Sequence, residues 1–440
     1  MKRSGTSVRK DYRHHLAAGM SETLPAGLFS ALGRTPGRRW LARLVVWVAI
    51  LMAWNEASTQ QGRFQAARRC VQAMFPSRRA VGKTVQGFTK RLRQLHAALL
   101  ATVTGHLRKV LQEMAGPYWR REGQLAFAVD GSRIECPRTK ANEAAFGHAG
   151  KMGCGPQMWL TTLWHMGTGL PWAWQQGRSD ESERNHLRQL LALLPPAALL
   201  VGDAGFVGYE LLSDILAGGR SFLMRVGGNI TLLQELGWVK RFGAETIYLW
   251  PVAHRDQPPL VLRLLVLQRQ GKSVYLLTNL PEESLSLRQA AVLYGMRWGI
   301  EVFYRSLKQT LQHRTMRSRA PRQAEAELAW ALVGLLVMGL MSVREILGQR
   351  RDPLGWSVAA TRDLIRQALC EGRQRRLSPK GWRARLAGCR KDTYVRTASK
   401  AARDWPDRKH ERPPGPPKLR TATAPEVQRA QALSAQQAAA

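Results

Sequence analysis

The sequence predicts an α/β chain organised on a mixed sheet and flanked by helical regions at both ends. Three observations carry that expectation. At Leu125 the hydrophobic pattern switches from helical spacing to strand-like runs. Two short apolar segments, LAFAV and ALLVG, then alternate with helix-like stretches closed by Pro195-Pro196 and Gly218-Gly219. Finally, 67 Lys and Arg against 31 Asp and Glu give a net charge of +36 on a chain that is 45% hydrophobic and holds 15 Trp. That hydrophobic content excludes a disordered chain. The charge favours a polyanionic partner, nucleic acid first, over an ordinary metabolite.

Residues 1–39 are polar, punctuated by Gly and Pro, and read as a mobile basic arm. The opening MKRSGTSVRKDYRHH has no apolar stretch directly behind it, so it does not read as a signal peptide. Residues 40–122 read as a helical DNA-binding region. An apolar helix is expected at about 40–57, a break at Pro76, and a long helical pattern with a basic face from Lys83 to Met114. Charge concentrates at the ends: residues 1–122 hold 22 Lys/Arg against 5 Asp/Glu, and residues 371–420 hold 16 against 5.

Residues 123–220 give strand, strand, strand, helix, strand, helix, the first part of a sheet core, with KANEAAFGHAGKMGCG as a Gly-rich loop. In residues 221–280, FLMRV, ETIYLW, LVLRLLVL and SVYLLTNL read as a β-rich insertion, with RQGK as a hairpin turn. Residues 281–347 complete the core with one periodic helix over LRQAAVLYGMRWGIEVFYRSLKQTLQ and a buried helix over AEAELAWALVGLLVMGLMSVREIL. Residues 348–404 read as a basic helical region, and 405–440, holding PPGPP, as a disordered tail. The runs Leu44–Trp54 and Trp330–Met341 fall short of the ~18–20 apolar residues of a membrane span, so core helices and no membrane partner are expected. Five scattered Cys without a C-x-x-C fit a reducing cytoplasm.

Asp130 and Asp203 each end an apolar strand. A carboxylate held there suits a divalent metal, although Asp also starts turns and caps helices at such places. In the following helix, Tyr294, Arg297, Glu301 and Lys308 fall at steps of three, four and seven, which return to one face, with Arg305 on the same side. Ile300, Phe303, Leu307 and Leu311 form the opposite, packing stripe. An amphipathic helix laced with ion pairs has the same pattern. Arg225, ending FLMR, is a further candidate to face the substrate. Gly82-Lys83-Thr84 lacks the preceding Gly and strand of a phosphate loop, so no nucleotide cofactor is expected. Cys136, His148, Cys154 and His165 fit no common zinc spacing.

The pattern Tyr294-x2-Arg297-x3-Glu301-x6-Lys308 resembles the signature of the insertion-sequence-four family of bacterial DDE transposases. VDGSR around Asp130, GDAGFVGYELL around Asp203, the β-rich insertion and RWGIEVFYRSLK are similar to the same family, from about Leu125 to Leu347. The resemblance implies a ribonuclease-H-like core in which Asp130, Asp203 and Glu301 hold two Mg²⁺ (or Mn²⁺) ions. It implies that Tyr294, Arg297 and Lys308 position element-end phosphates, and that an aromatic of the insertion, Trp238 or Trp250, stacks an unpaired base. It further implies cut-and-paste chemistry on double-stranded DNA, both element ends and target, by a homodimer formed on those ends, in the cytoplasm with the nucleoid. Relatives often place a charged residue directly after the second Asp; here Ala204-Gly205 follows, and local DNA contacts differ accordingly. A non-enzymatic DNA-binding relic and a metal-dependent nuclease without strand transfer are the competing readings.

Overall fold

The computed structural model describes residues 10–32, 40–75, 81–148, 155–269, 271–371, 376–392 and 415–439. In chain order, a two-residue strand β1 (Lys10–Asp11) leads into α1 (Tyr12–Thr23), capped by the Asp11 carboxylate, which accepts from the His14 N–H. Apolar α2 (Ala42–Trp54) follows. The hydroxyls of Thr59 and Thr84 cap α3 (Gln60–Met74) and α4 (Val85–Ala115). Next come β2 (Leu125–Glu135), α5 (Lys140–Phe146), β3 (Gln157–His165), β4 (Leu170–Arg178), α6 (Glu183–Leu191), β5 (Ala198–Gly202) and α7 (Tyr209–Ala217). Five strands succeed them: β6 (Ser221–Val226), β7 (Thr231–Gln234), β8 (Thr246–Leu249), β9 (Leu260–Arg269) and β10 (Lys272–Thr278). A capping box between Ser286 and Gln289 opens α8 (Leu287–Met296). α9 (Trp298–Arg305) runs into a π turn at Ser306–Thr310. The chain ends with α10 (Pro321–Gly348), α11 (Val358–Glu371), β11 (Arg376–Leu377), α12 (Pro379–Ala387), β12 (Lys418–Thr421) and α13 (Ala424–Ala439).

These elements divide into two compact units. One comprises residues 1–119, 131–181 and 299–391; the other comprises 120–130, 182–298 and 392–440.

The first unit is mainly helical and is organised on α10. Every residue from Trp330 to Met341 is buried, against α1, α2, α4, α11 and α12. By length and composition α10 could cross a membrane, but 94% of its most apolar window is buried within the fold, as expected of a core helix. Trp54 of α2 donates its indole N–H to Gly334 O at 3.0 Å, a close approach that the missing side chain of Gly334 permits. β3 and β4 form an antiparallel hairpin with a bulge at Leu163/Trp164.

Several sequence expectations are corrected here. Residues 10–32 are not a mobile arm: α1 buries Tyr12, Leu16 and Met20, and β1 pairs with β11. The rest of that segment, 1–9 and 33–39, lies outside the described residues, as does Pro76. KANEAAF is helix α5 rather than loop, because Thr139 caps it. The expected single helix over 287–312 is interrupted at Arg297, between Gly295 and Gly299, two residues that weaken a helix.

In the second unit the strand order is β12-β7-β8-β9-β10-β6-β5-β2. β2, β5 and β6 are parallel, and β10 returns antiparallel on β6. Of residues 221–280, β6 pairs with the core strand β5, so the β-rich segment beyond it is β7 to β10, which extends the same sheet.

The tail also needs correction. Residues 405–414 lie outside the described residues, but β12 pairs in parallel with β7 over four rungs, and α13 follows it. The Glu426 carboxylate fastens this segment. It accepts from Arg420 at 2.6 and 2.7 Å, from the Thr423 N–H at 2.8 Å and from Arg255 at 2.5 Å. Arg420 foremost, with that N–H and Arg255, holds the carboxyl at about 2. A depressed folded-state value contributes stability above the ordinary carboxylate range, and the contribution is lost as pH falls through about 2. Amide protection of β12 is thus expected to persist at pH 6 and to fall between about pH 4 and 2. Hydrogen exchange checks this; a flat profile across that window would remove Glu426 as the fastener.

Candidate active site

The apolar strands LAFAV and ALLVG carry the first pair of candidate groups. β2 and β5 run parallel with rungs from Leu125↔Ala198 to Ala128↔Val201. Asp130 and Asp203 each stand two residues past that last rung. They therefore lie at the same end of two paired segments, Asp130 within β2 and Asp203 just after β5. Gly202 sets the packing beneath them: a β-carbon there would lie 2.6 Å from Met224 Sδ and 3.1 Å from Val129 Cγ1. The Asp203 carboxylate accepts from the Ala204 N–H at 2.8 Å and caps the short turn Ala204–Phe206. Arg225, one residue past the β5–β6 rung Gly202↔Met224, places Nη1 4.0 Å from Asp203 Oδ1. The Asp203 side chain is 42% exposed, so it is open to a ligand as well as paired.

Tyr294 and Arg297 belong to the same unit, at the end of α8 and just beyond it. The Arg297 guanidinium lies 5.6 Å from the Tyr294 ring centroid. Burial pushes the Tyr294 phenol above its ordinary value and the charge of Asp203 adds to the rise, while Arg297 and Arg225 oppose it. The phenol thus stays a protonated donor at neutral pH, in a setting of one carboxylate and two guanidinium groups.

Glu301, Arg305 and Lys308 lie in the other unit. The packing stripe is as the periodicity predicts: Ile300, Phe303, Leu307 and Leu311 are all buried. Gly299 lets the Trp164 ring of β3 press against the α9 backbone, since a β-carbon would sit 2.2 Å from its nearest ring carbon. Tyr304 donates its hydroxyl to Leu160 O at 3.2 Å. Glu301 is half-buried on the helix so fixed, and Arg305 is exposed. Lys308, within the π turn, donates from Nζ to Ser132 Oγ at 2.8 Å. Sequence reasoning missed Ser132, although it stands two residues from Asp130 in VDGSR; a lone Ser in a strand gives no periodic signal.

The two candidate stacking aromatics differ. Trp250 is buried, donates its N–H to His254 O and Gln257 O, and carries the Arg255 guanidinium 4.2 Å from its ring centroid. It is a core side chain with no open face, which corrects its expected stacking role; Trp238 is half-exposed. His165 is buried, with Nδ1 2.8 Å from Thr168 Oγ1 and Nε2 3.2 Å from Trp119 O. Cys154 lies outside the described residues.

Among the described residues, no three His, Cys, Asp or Glu side chains gather into a metal-sized group. The pair Asp130 and Asp203 does supply hard oxygen donors on neighbouring strands, a donor set that suits Mg²⁺ or Mn²⁺.

Comparison with known proteins locates this arrangement. Residues 121–337 match the family model of the transposase DDE domain. The chain is similar to transposase InsG for insertion sequence element IS4 of Escherichia coli (strain K12), with 31% identity over 234 residues, 49% of this chain and 51% of that protein. It is also similar to the putative transposase InsL for insertion sequence element IS186A of the same strain, with 38% identity over 68 residues, 16% of this chain and 18% of that protein. A solved piggyBac transposase synaptic complex with hairpin DNA aligns over 90% of this chain and 91% of that chain, at a TM-score of 0.42 and 10% identity. The chain thus spans about half the length of the InsG relative it matches.

Proposed function

We propose that the chain, whose residues 121–337 match the transposase DDE domain, is an insertion-sequence transposase. In this reading it cleaves DNA at the ends of a mobile element and joins those ends to target DNA. The observation that supports the reading is the grouping of Asp203 with Arg225, Tyr294 and Arg297 inside the matched domain, with Asp130 at the same end of the paired strand β2. A ribonuclease-H-like core is supported by the parallel strands β2, β5 and β6 with helices α6 and α7 between them, and by the β3–β4 hairpin.

The proposed metal ligands are Asp130, Asp203 and Glu301, with two Mg²⁺ or Mn²⁺ ions as cofactors. Bound divalent ions supply Lewis-acid charge that favours in-line attack on phosphorus. The other residues hold the substrate. Arg297 meets a phosphate with a planar fork, whereas Lys308 meets one as a point charge steadied by Ser132. The protonated Tyr294 phenol donates one hydrogen bond to a phosphate oxygen. Water as the nucleophile gives strand cleavage; a DNA 3′-OH gives joining, with the same displacement at phosphorus. A dimer on paired element ends completes the reading.

Incubating the protein with pre-cut element ends, a target plasmid and Mg²⁺ or Mn²⁺ tests this. Joined products are expected only when metal is present. Nicking without joining would indicate a nuclease, and metal-independent binding without nicking a relic; either result would overturn strand transfer.

A further inference from the structure

β6 holds position 225 from both sides. Its neighbours in the sheet are β5 and β10, with rungs Gly202↔Met224 on one flank and Leu276↔Arg225 on the other. From that fixed backbone the Arg225 guanidinium extends to 4.0 Å from the Asp203 carboxylate, with 24% of the side chain exposed. Other ion pairs of this unit are closer. Arg188 stands 2.7 Å from Asp214 and 2.8 Å from Glu210, and Arg263 stands 2.6 Å from Glu245, each with a direct hydrogen bond. A nitrogen–oxygen separation of 4.0 Å is too long for such a bond. Arg225 and Asp203 thus attract each other without being locked together.

The two partners are held differently. The carboxylate is fixed by its own turn, because Asp203 accepts from the Ala204 N–H at 2.8 Å. The guanidinium sits on a long, flexible stem and is drawn to Asp203 by charge. That charge opposes a divalent ion. It offsets part of the negative potential that would bring the ion to Asp203, and it repels the ion itself. Arg297, across the Tyr294 ring, is a second cation of the group, while Tyr294 is a protonated donor and adds no negative charge. A phosphate has the opposite effect on Arg225. It offers the guanidinium paired, charge-assisted hydrogen bonds, which are stronger than a loose attraction to a carboxylate that is 42% exposed.

We propose that Arg225 makes metal loading depend on DNA. Without DNA its guanidinium guards the Asp203 carboxylate against a divalent ion; a DNA phosphate draws the guanidinium off and leaves the carboxylate to the ion. Asp203 is a metal ligand under the proposed transposase reading, and this coupling rests on it. Arg225 acts through Asp203 and is a positioning residue, with no part in the displacement at phosphorus. Linkage makes the effect reciprocal: a loaded ion strengthens the hold of Arg225 on phosphate. A chain away from DNA then carries little metal, and the charge needed for attack on phosphorus assembles where a phosphate is present.

Titration of the full chain with Mn²⁺, followed by the electron paramagnetic resonance signal of the free ion, tests this without reading cleavage. It is run alone and with saturating pre-cut element-end duplex. Arg225→Gln is expected to bind Mn²⁺ about fivefold more tightly than the wild type in the absence of DNA, the scale of a solvent-accessible ion pair. The gain in Mn²⁺ affinity on adding DNA is expected to shrink by about the same factor. Arg225→Met, a second neutral replacement, is expected to match it. Arg225→Lys keeps the charge and is expected to restore wild-type values within about twofold, which a role in packing alone would not produce. Circular dichroism confirms that the variants fold. Asp203→Asn separates the two readings. If it weakens Mn²⁺ binding while the neutral Arg225 variants bind as the wild type does, the coupling is overturned and the metal ligand stands. If it binds Mn²⁺ as tightly as the wild type, the metal reading of Asp203 falls, and the coupling with it.

Discussion

Asp203→Asn and Asp130→Asn are each expected to lower strand cleavage at least about a thousandfold, because metal-held charge at phosphorus supplies several kcal/mol of barrier lowering. Affinity for element-end DNA is expected to stay within about twofold, since neither carboxylate neutralises a phosphate. Asn is the informative replacement. It keeps the side-chain shape, and at position 203 its oxygen can still accept the Ala204 N–H, so the turn after β5 survives. What disappears is the negative charge that Arg225 and a cation would share. Arg297→Ala and Lys308→Ala make the opposite pair: each is expected to reduce the salt slope of DNA binding by about one. Cleavage rates and salt-dependent binding on the same DNA separate the two classes. Wild-type cleavage by Asp203→Asn would take that residue out of the site, and an unchanged slope would do so for Arg297 or Lys308.

Gly299→Val is expected to destabilise the first unit by about 3 kcal/mol, at the upper end for overpacking a core. The new side chain would start 2.2 Å from the Trp164 ring, and Trp164 is only 4% exposed, so the ring has no solvent side into which to move. Helix propensity offsets at most a few tenths of this cost, because Val is itself a modest helix former. Relief requires α9 to lift from β3, which also strains the Tyr304 bond to Leu160 O and displaces Glu301 two residues on. Trp164→Leu in the same chain is expected to recover part of the loss, giving a coupling energy of about 1 kcal/mol or more for residues in contact. Denaturant midpoints of the two single variants and the double variant measure it; strict additivity would show that the ring and Gly299 do not meet.

How much of this was legible in the sequence depends on the kind of signal. Asp130 and Asp203 stood out because continuous apolar runs end at them, and parallel pairing of those runs brings both acids to the same end of the strands. The buried stripe Ile300, Phe303, Leu307 and Leu311 was equally readable, since a helix repeats its apolar positions. Propensity was a poor guide where a neighbour supplies the order. Tyr12 to Thr23 is polar enough to read as an arm, yet it is held by burial of Leu16 and Met20 and by pairing of β1 with β11, more than 360 residues away. Lys418–Thr421 is ordered through β7 and Glu426, neither of which its own composition reveals. The insertion boundary was misplaced for a related reason: FLMRV reads the same whether it pairs with β5 or begins a separate sheet.

The β12 strand has one more consequence. Among the described residues it is outermost in its sheet, and the backbone N–H and C=O groups along its outer side could template pairing with an extended chain. Lys418 stands exposed on that strand, beside the Arg420–Glu426 pair, in a molecule of +36 overall. Another copy approaching strand to strand would meet the Lys418 charge of its counterpart, which disfavours pairing edge to edge.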